Sequence, residues 1–402
     1  MSFTIPSFNI SCGSVQIDLV SVLIYAGIIF CVYLMVSLTV NLEFGYTGIP
    51  NFGKVLFVSV GGLIAGSLSY RLALYVLNLH STNIIDSQAL FINDINLYML
   101  SHHFFGVELL LFSLAVGAGL SALMGYIASF PAIRLREDYL GMLLLAAGQF
   151  FLIFVTAYYP ITGGTEGLLV PDPIYWAVST QGLRDVVVLG IVALATVGIF
   201  LYTERVARSP LGRMMRAIRD NEVSSEAIGK DTVGVKRNVL IIASALSGIA
   251  GVLFVLVFPA ISPTTFTRTV WTFYPFVIVI LGGAANNLGV GVGTALFVGI
   301  TTTIDQARTC ILGNGLSIPI DINAIEPIAI GVLLLAVLMW RPKGLLKEKP
   351  SATINKAKLQ SIFDKANEVL KREHVTQLPQ NTETDDETVP KTEDKMKKDD
   401  SP

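Results

Sequence analysis

The sequence predicts an all-α fold: a polytopic transmembrane helical bundle of about nine or ten spans, with interrupted helices, at roughly 20 residues per crossing. Three observations predict it. Mean hydropathy is +0.64 and 52% of residues are apolar. Only 14% are charged, against about 25% in soluble proteins. Apolar runs of crossing length are separated by loops that alternate between basic and free of basic residues, the charge asymmetry that orients membrane helices. The net charge of −2 hides a charge-poor body and a tail where Lys, Asp and Glu nearly balance, so it says nothing about partners.

In chain order, spans are expected near 17–41, 52–76, 105–130, 139–160, 183–203, 238–260, 271–285, 288–304 and 324–340. The loop near 131–138, which holds Arg134 and Arg136, the stretch 204–237 and the segment after Arg341 are basic, whereas 77–104 and 161–182 contain no Lys or Arg. Basic loops stay cytoplasmic, so the N-terminus is expected outside and the C-terminus inside. Residues 1–16 then form an external segment, 17–346 the transmembrane domain with a cytoplasmic loop at 204–237, and 347–402 a cytoplasmic tail. The N-terminus lacks a basic region followed by a cleavage site, so no cleaved signal peptide is expected and the first span serves as insertion signal.

Two spans are broken by polar, glycine-rich sequence. One break runs from Gly45 through Thr47, Gly48, Ile49, Pro50, Asn51 and Phe52 to Gly53; the other holds Gly282, Gly283, Asn286, Asn287 and Gly289. Such backbone persists in a bilayer only where it is packed in protein or lines water. Both breaks place Asn-x-Gly ahead of a small-residue helix, at Asn51-Phe52-Gly53 and Asn287-Leu288-Gly289. Paired interruptions of this kind suggest an internal repeat with a path between the halves. Gly61, Gly62 and Gly66 suit close helix packing equally well.

The stretch 204–237 gathers Arg205, Arg208, Arg213, Arg216, Arg219, Lys230, Lys236 and Arg237, about half of all basic residues ahead of the tail, a concentration that fixes a loop inside. Asp220 or Asn221 can cap a helix start, Val223, Ala227 and Ile228 form a narrow apolar stripe, and Gly229 can end the helix in a left-handed conformation. With small residues at Ser224, Ser225 and Ala227, this helix suits a groove on another protein. In the tail, Leu359, Ile362, Phe363, Ala366, Val369 and Leu370 recur at helical spacing, predicting an amphipathic helix near 357–370. After Gln380 the composition predicts disorder.

No catalytic or metal-ligating constellation is visible. Cys12, Cys31 and Cys310 lack ligand or redox spacing and are expected to be free thiols. His80, His102, His103 and His374 have no acidic or cysteine partners at ligand spacing. Asn9-Ile-Ser11 is a three-residue glycosylation match of little weight. No phosphate-binding G-x-x-x-x-G-K-[ST] motif occurs, so an ATP-driven activity requires a second chain.

Several motifs occur in a fixed order: Gly45-Tyr-Thr-Gly48 with Phe52-Gly53, Leu135-Arg136 leading to Tyr139, Thr162-Gly-Gly-Thr-Glu-Gly-Leu168, Ser209-Pro-Leu-Gly-Arg213 with Arg216-Ala-Ile-Arg219, Asn221-Glu222, Ala227-Ile-Gly229, Leu281-Gly-Gly283 and Arg341-Pro-Lys-Gly-Leu345. Over roughly residues 20–346 this resembles the permease subunit of branched-chain amino acid ABC importers, whose near relatives carry urea or short amides. The chain departs from that pattern where Ile49-Pro50 stands in place of Gln, and again at Ala285, Asn286 and Val290. The resemblance implies that ATP is bound on partner subunits and no cofactor on this chain. It also implies a second homologous permease subunit, two cytoplasmic ATPases and an external binding protein, with no role in nucleic-acid binding.

Expected ATPase-coupling residues are Gly212, Arg213, Arg216, Ala217, Arg219, Glu222, Ala227 and Gly229. Expected path residues are Gly45, Thr47, Gly48, Asn51, Gly53, Thr162, Gly163, Gly164, Gly282, Gly283 and Asn286. Import of branched-chain or hydrophobic amino acids is the leading reading, with urea or short amides as the alternative. An ion-coupled secondary transporter is the reading of another class. It asks for ionisable groups in mid-span, whereas Asp18 and Asp305 lie at span ends and Lys54 and Arg71 are placed to snorkel. Glu43 and Glu166 are the acids nearest the candidate path.

Overall fold

The computed structural model describes residues 9–12, 15–79, 87–135, 137–175, 183–258, 260–313, 325–341, 344–348, 360–361 and 363–365. The chain forms two units, Met1–Lys349 and Pro350–Pro402. In the second, the described residues are helical, within the expected 357–370 helix; the rest of that helix and the tail expected to be disordered lie outside the described residues.

The first unit opens on a short antiparallel hairpin, β1 (Asn9–Cys12) and β2 (Val15–Asp18). Asp18 accepts the Val20 amide at 3.2 Å and caps α1 (Leu19–Val40), which runs on as a π-helical turn over Asn41–Tyr46. After the first break come α2 (Lys54–Ser59), a π-helical turn Val60–Ile64 and α3 (Ala65–Val76), one continuous crossing. Next are α4 (Gln88–Ser101), α5 (His103–Arg134), α6 (Glu137–Ala157) and the short α7 (Tyr159–Thr162). Then follow α8 (Leu183–Arg208), α9 (Pro210–Asp220), α10 (Glu222–Ala227) and α11 (Thr232–Val257). A π-helical turn Thr269–Phe273 leads into α12 (Tyr274–Gly282), and α13 (Asn287–Gly313) and α14 (Ile325–Trp340) end the bundle. Two-residue strands β3 (Leu168–Leu169) and β4 (Ala260–Ile261) pair between the long connections.

Among the described residues seven helices are long and apolar enough to cross a membrane, and Thr269–Gly282 and Ile325–Val337 are shorter apolar helices. These nine segments overlap the nine stretches expected as spans, seven of them long enough to cross by themselves. The helix α4 was not foreseen, because it is too short for a span and lies in what reads as a loop. Gln88 and Asn96 on α4 accept the Leu169 and Asp172 amides at 2.8 and 3.2 Å, so the helix braces the 168–172 segment.

Backbone approach sets the centre of the bundle. A Cβ on Gly61 would stand 2.2 Å from the Gly248 carbonyl oxygen, one on Gly251 2.1 Å from that of Val58, and one on Gly248 2.6 Å from that of Gly117. Small residues thus let the Lys54–Val76 crossing, α5 and α11 touch backbone to backbone, the packing that replaces a hydrophobic driving force in lipid. Aromatic rings fill the space beside it: Trp271 stacks on Tyr33 and Phe266 and meets Phe254 edge-on.

One cysteine expectation fails. Cys31 is free and buried, but Cys310 is disulfide-bonded, so motif spacing alone did not decide the thiol chemistry.

Candidate translocation and coupling site

The two breaks meet. Asn41, at the end of α1, accepts the Ala285 amide at 2.8 Å and donates to the Asn287 side-chain oxygen at 2.9 Å. Asn287 in turn donates to Glu204 at 2.9 Å, and Glu204 pairs with Arg208 at 2.6 Å. A Cβ on Gly45 would stand 2.7 Å from the Ala285 nitrogen, so only glycine allows this approach. Ala285 itself holds φ +59°, a left-handed conformation that costs an L-residue with a side chain and persists where its surroundings enforce it.

The first break is folded around a buried ion pair. Lys54 Nζ lies 2.8 Å from Glu43 Oε2 with both side chains out of solvent, and Asn51 donates to both Glu43 oxygens at 3.1 and 3.2 Å. Lys54 therefore does not snorkel as expected. It sits at the N-terminal end of its crossing but turns inward to the carboxylate eleven residues earlier. The Asn51 side-chain oxygen accepts the Gly53 amide at 3.1 Å, and Thr47 donates to the Leu42 carbonyl at 3.0 Å. The turn between them uses Gly48 at φ +79°. Across the break, the Thr272 hydroxyl accepts the Val55 amide at 3.0 Å, which ties α2 to the start of the α12 crossing.

The second break begins where α12 ends at Gly283, φ +108°. Gly282 packs against Gly289: a Cβ on Gly282 would stand 2.2 Å from the Gly289 carbonyl oxygen. Asn286 accepts the Gly289 amide at 3.3 Å and donates to the Lys347 carbonyl at 3.0 Å.

Of the expected path residues, Gly45, Thr47, Gly48, Asn51, Gly53, Gly282, Gly283 and Asn286 gather at this end of the bundle. Thr47, Asn51 and Asn286 are buried. Thr162, Gly163 and Gly164 stand apart at the far end of α6, where Thr162 is also buried, Ser67 and Arg71 hold the Ile161 and Pro160 carbonyls, and Gly163 and Gly164 take φ +75° and +63°.

Beneath the joined breaks lies the charged connector. Ser209 caps α9, with Pro210 at its first turn, the arrangement whose missing N–H costs nothing at a helix start. Gly212, Met215 and Ile218 face the bundle, and a Cβ on Gly212 would stand 2.2 Å from the Ala207 carbonyl oxygen. Arg213 and Ala217 point away and are exposed. Arg219 Nη1 donates to the Gly45 carbonyl at 2.6 Å, and the Arg216 guanidinium lies over the Tyr46 ring at 5.1 Å.

Asn221 caps α10 through the Ser224 amide at 2.9 Å, and Gly229 ends it at φ +77°. Glu222 is held by Lys236 at 2.5 Å and Glu226 by Thr232 at 2.7 Å. Val223 and Ile228 are 76% and 72% exposed, and Ala227 and Gly229 are exposed beside them. Ser225, expected on the docking face, is instead buried and donates to the Asn221 carbonyl at 2.9 Å.

Sequence reasoning missed Asn41, Asn287 as its partner, Tyr46 and Glu348. Asn41 gave a signal as an amide at the end of an apolar run, and Tyr46 and Asn287 stood inside motifs that did not show what they bond. Glu348 was read as part of the tail.

A bundle of apolar crossings whose two broken helices join at one end, above an amphipathic connector, defines a multi-pass membrane transport protein of the interrupted-helix class. The chain belongs to the family described as branched-chain amino acid transport system / permease component, which matches residues 22–339. It is similar to the probable branched-chain amino acid transport permease protein LivM of Methanocaldococcus jannaschii, 35% identical over 338 residues, 84% of this chain and 96% of that protein. It is also similar to the high-affinity branched-chain amino acid transport system permease protein LivM of Salmonella typhimurium and of Escherichia coli, each 28% identical over 271 residues, 62% of this chain. The match spans 60% of the length of those two bacterial proteins. No solved structure matches the chain.

Proposed function

We propose that the protein is a permease subunit of an ABC importer moving branched-chain or other hydrophobic amino acids into the cell, driven by ATPases on separate chains. The observation that carries the energetic half is the exposed apolar face of Val223, Ala227 and Ile228 at α10, where Val223 and Ile228 are far more exposed than Val233, the other exposed large apolar side chain of the connector. Large apolar side chains left in water on so short a helix favour a protein groove. In this reading Arg213, Ala217, Ala227 and Gly229 face the ATPase, while Gly212, Arg216, Arg219 and Glu222 position the docking surface. ATP supplies its energy from the partner chain; no catalytic role falls to this one.

The path runs past the joined breaks, with Gly45, Thr47, Gly48, Asn51, Gly53, Gly282, Gly283 and Asn286 at one end and Thr162, Gly163 and Gly164 at the other. A second, homologous permease subunit completes it, and an external binding protein delivers the substrate. The protein lies in the plasma membrane with its N-terminus outside and its C-terminus inside. The basic α9–α10 connector supports this orientation, and so does the disulfide at Cys310, at the opposite end of α13 from Asn287, since disulfides persist in oxidising compartments. The apolar character of Ile49, Phe52 and Phe57 favours amino acids with apolar side chains over urea, whose transport asks for amide-bonding groups where Ile49 stands.

Calorimetry of the cognate binding protein with leucine and with urea tests the substrate. Leucine binding without urea binding is expected; urea binding alone would contradict the amino-acid reading and leave the permease architecture in place.

A further inference from the structure

The segment that follows α14 is not a free tail at its start. The Leu345 and Leu346 amides donate to the Leu281 and Gly282 carbonyls, each at 3.0 Å, and so cap carbonyls that the end of α12 leaves without intrahelical partners. Gly344 takes φ +74°, and a Cβ there would stand 2.4 Å from Gly283 Cα. The Lys347 carbonyl accepts from Asn286. Residues 344–348 are therefore a strap laid along the second break.

The strap ends on Glu348, and Glu348 reaches both inward-turned arginines of α9. Its Oε2 lies 3.0 Å from Arg219 Nη2, and its Oε1 lies 3.1 Å from Arg216 Nε, an ion pair whose angle falls short of a hydrogen bond. The same two arginines hold the first break, through the Gly45 carbonyl and the Tyr46 ring, and the Arg219 stem packs on Gly48, 3.1 Å from where a Cβ would be. Arg216 and Arg219 are thus occupied within the chain, and neither is offered to a partner as a free charge.

We propose that Glu348 is a positioning residue that ties α9 to the second break through the strap, so that a displacement of α9 moves both breaks together. This rests on the reading of α9 and α10 as the surface moved by an ATPase. A partly exposed ion pair contributes little stability, but two arginines that share one carboxylate fix relative position, and position is what transmission requires. Without Glu348, α9 still holds the first break and loses its hold on the second.

The test uses the full importer, with ATPases and binding protein, in vesicles. Glu348→Gln keeps the shape and removes the charge; uptake per ATP hydrolysed is expected to fall about tenfold, with Glu348→Asp recovering part of the loss. A ratio within about twofold of the native one in Glu348→Gln would overturn the relay. A second measurement does not depend on that variant folding: spin labels at Pro210→Cys, exposed on α9 outside the residues placed against the ATPase, and at Lys347→Cys, with Cys31→Ser, should keep one separation with and without ATP. A separation that changes on ATP binding would overturn the proposal. Ala227→Arg in the same assay separates the two readings. If it retains the ATPase and full uptake, the docking surface is wrong and the relay falls with it. If it loses the ATPase while Glu348→Gln keeps its uptake ratio, only the relay is wrong.

Discussion

Asn41 accepts the backbone amide of Ala285 at 2.8 Å, and this one bond joins segments 244 residues apart. The same side chain reaches Asn287, so a single amide closes the first break of the fold onto the second. Both partners are buried. Removing the amide takes the partner from the Ala285 N–H and from the Asn287 side-chain oxygen in a medium that supplies none.

Asn41→Ala is accordingly expected to lower the thermal midpoint of the purified protein, since each buried polar group left unpaired costs about 1–3 kcal/mol. Uptake should fall with it. Unchanged melting and uptake in this variant would show that the two breaks are held by other contacts.

The Glu43–Lys54 pair gives a prediction with opposite signs for single and double variants. Breaking a buried pair leaves a charge uncompensated and costs about 3–5 kcal/mol, whereas replacing both partners by apolar groups is often neutral. Glu43→Leu or Lys54→Met alone should therefore sharply reduce the yield of folded protein, and the double variant should restore much of it, short of the cost of the buried Asn51 amide that loses Glu43 as acceptor. Two singles as stable as the native chain would mean that the pair is not closed in the working protein.

The exposed face of α10 predicts a loss of partner binding without a loss of folding. Ile228→Asp and Ala227→Arg change side chains that face away from the bundle, where substitutions are usually within about 0.5 kcal/mol of neutral. Melting should stay near native while copurification of the ATPase drops. Gly229→Val differs, because it forces a β-branched residue to φ +77°; it should cost stability as well as coupling. ATPase recovery unaffected by all three would place the docking surface elsewhere.

Orientation is checked by labelling. With Cys31 replaced, an impermeant thiol reagent on sealed cells should modify Glu166→Cys and leave Ser224→Cys untouched, both native side chains being exposed. Modification of Ser224→Cys from outside would invert the topology.

The spans were legible in the sequence because a membrane crossing is a one-dimensional property, a sufficient length of apolar residues. The cap at Asn221 and the helix stop at Gly229 were legible for a similar reason: each depends on neighbours a few residues away. The joining of the breaks was not. The motif likeness made Asn51 the counterpart of Asn287, yet Asn51 bonds Glu43 and Gly53 while Asn41 crosses to the other half. Which asparagine crosses depends on the π-helical turn at Asn41–Tyr46, and the sequence carries no strong signal for that turn. Lys54 looked ready to snorkel because its distance from the span end was visible, whereas its partner across a turn was not. Glu348 was hidden among tail charges, since its arginine partner Arg219 lies 129 residues earlier. Composition cannot sort one acid of a charged tail from the next.

The most direct measurement is leucine uptake into vesicles that hold this protein, its partner permease and the ATPases, with the binding protein outside. Uptake that requires ATP on the ATPase side, persists when ion gradients are collapsed and disappears in Ala227→Arg is the predicted result. Uptake driven by an ion gradient with the ATPases omitted would contradict the account.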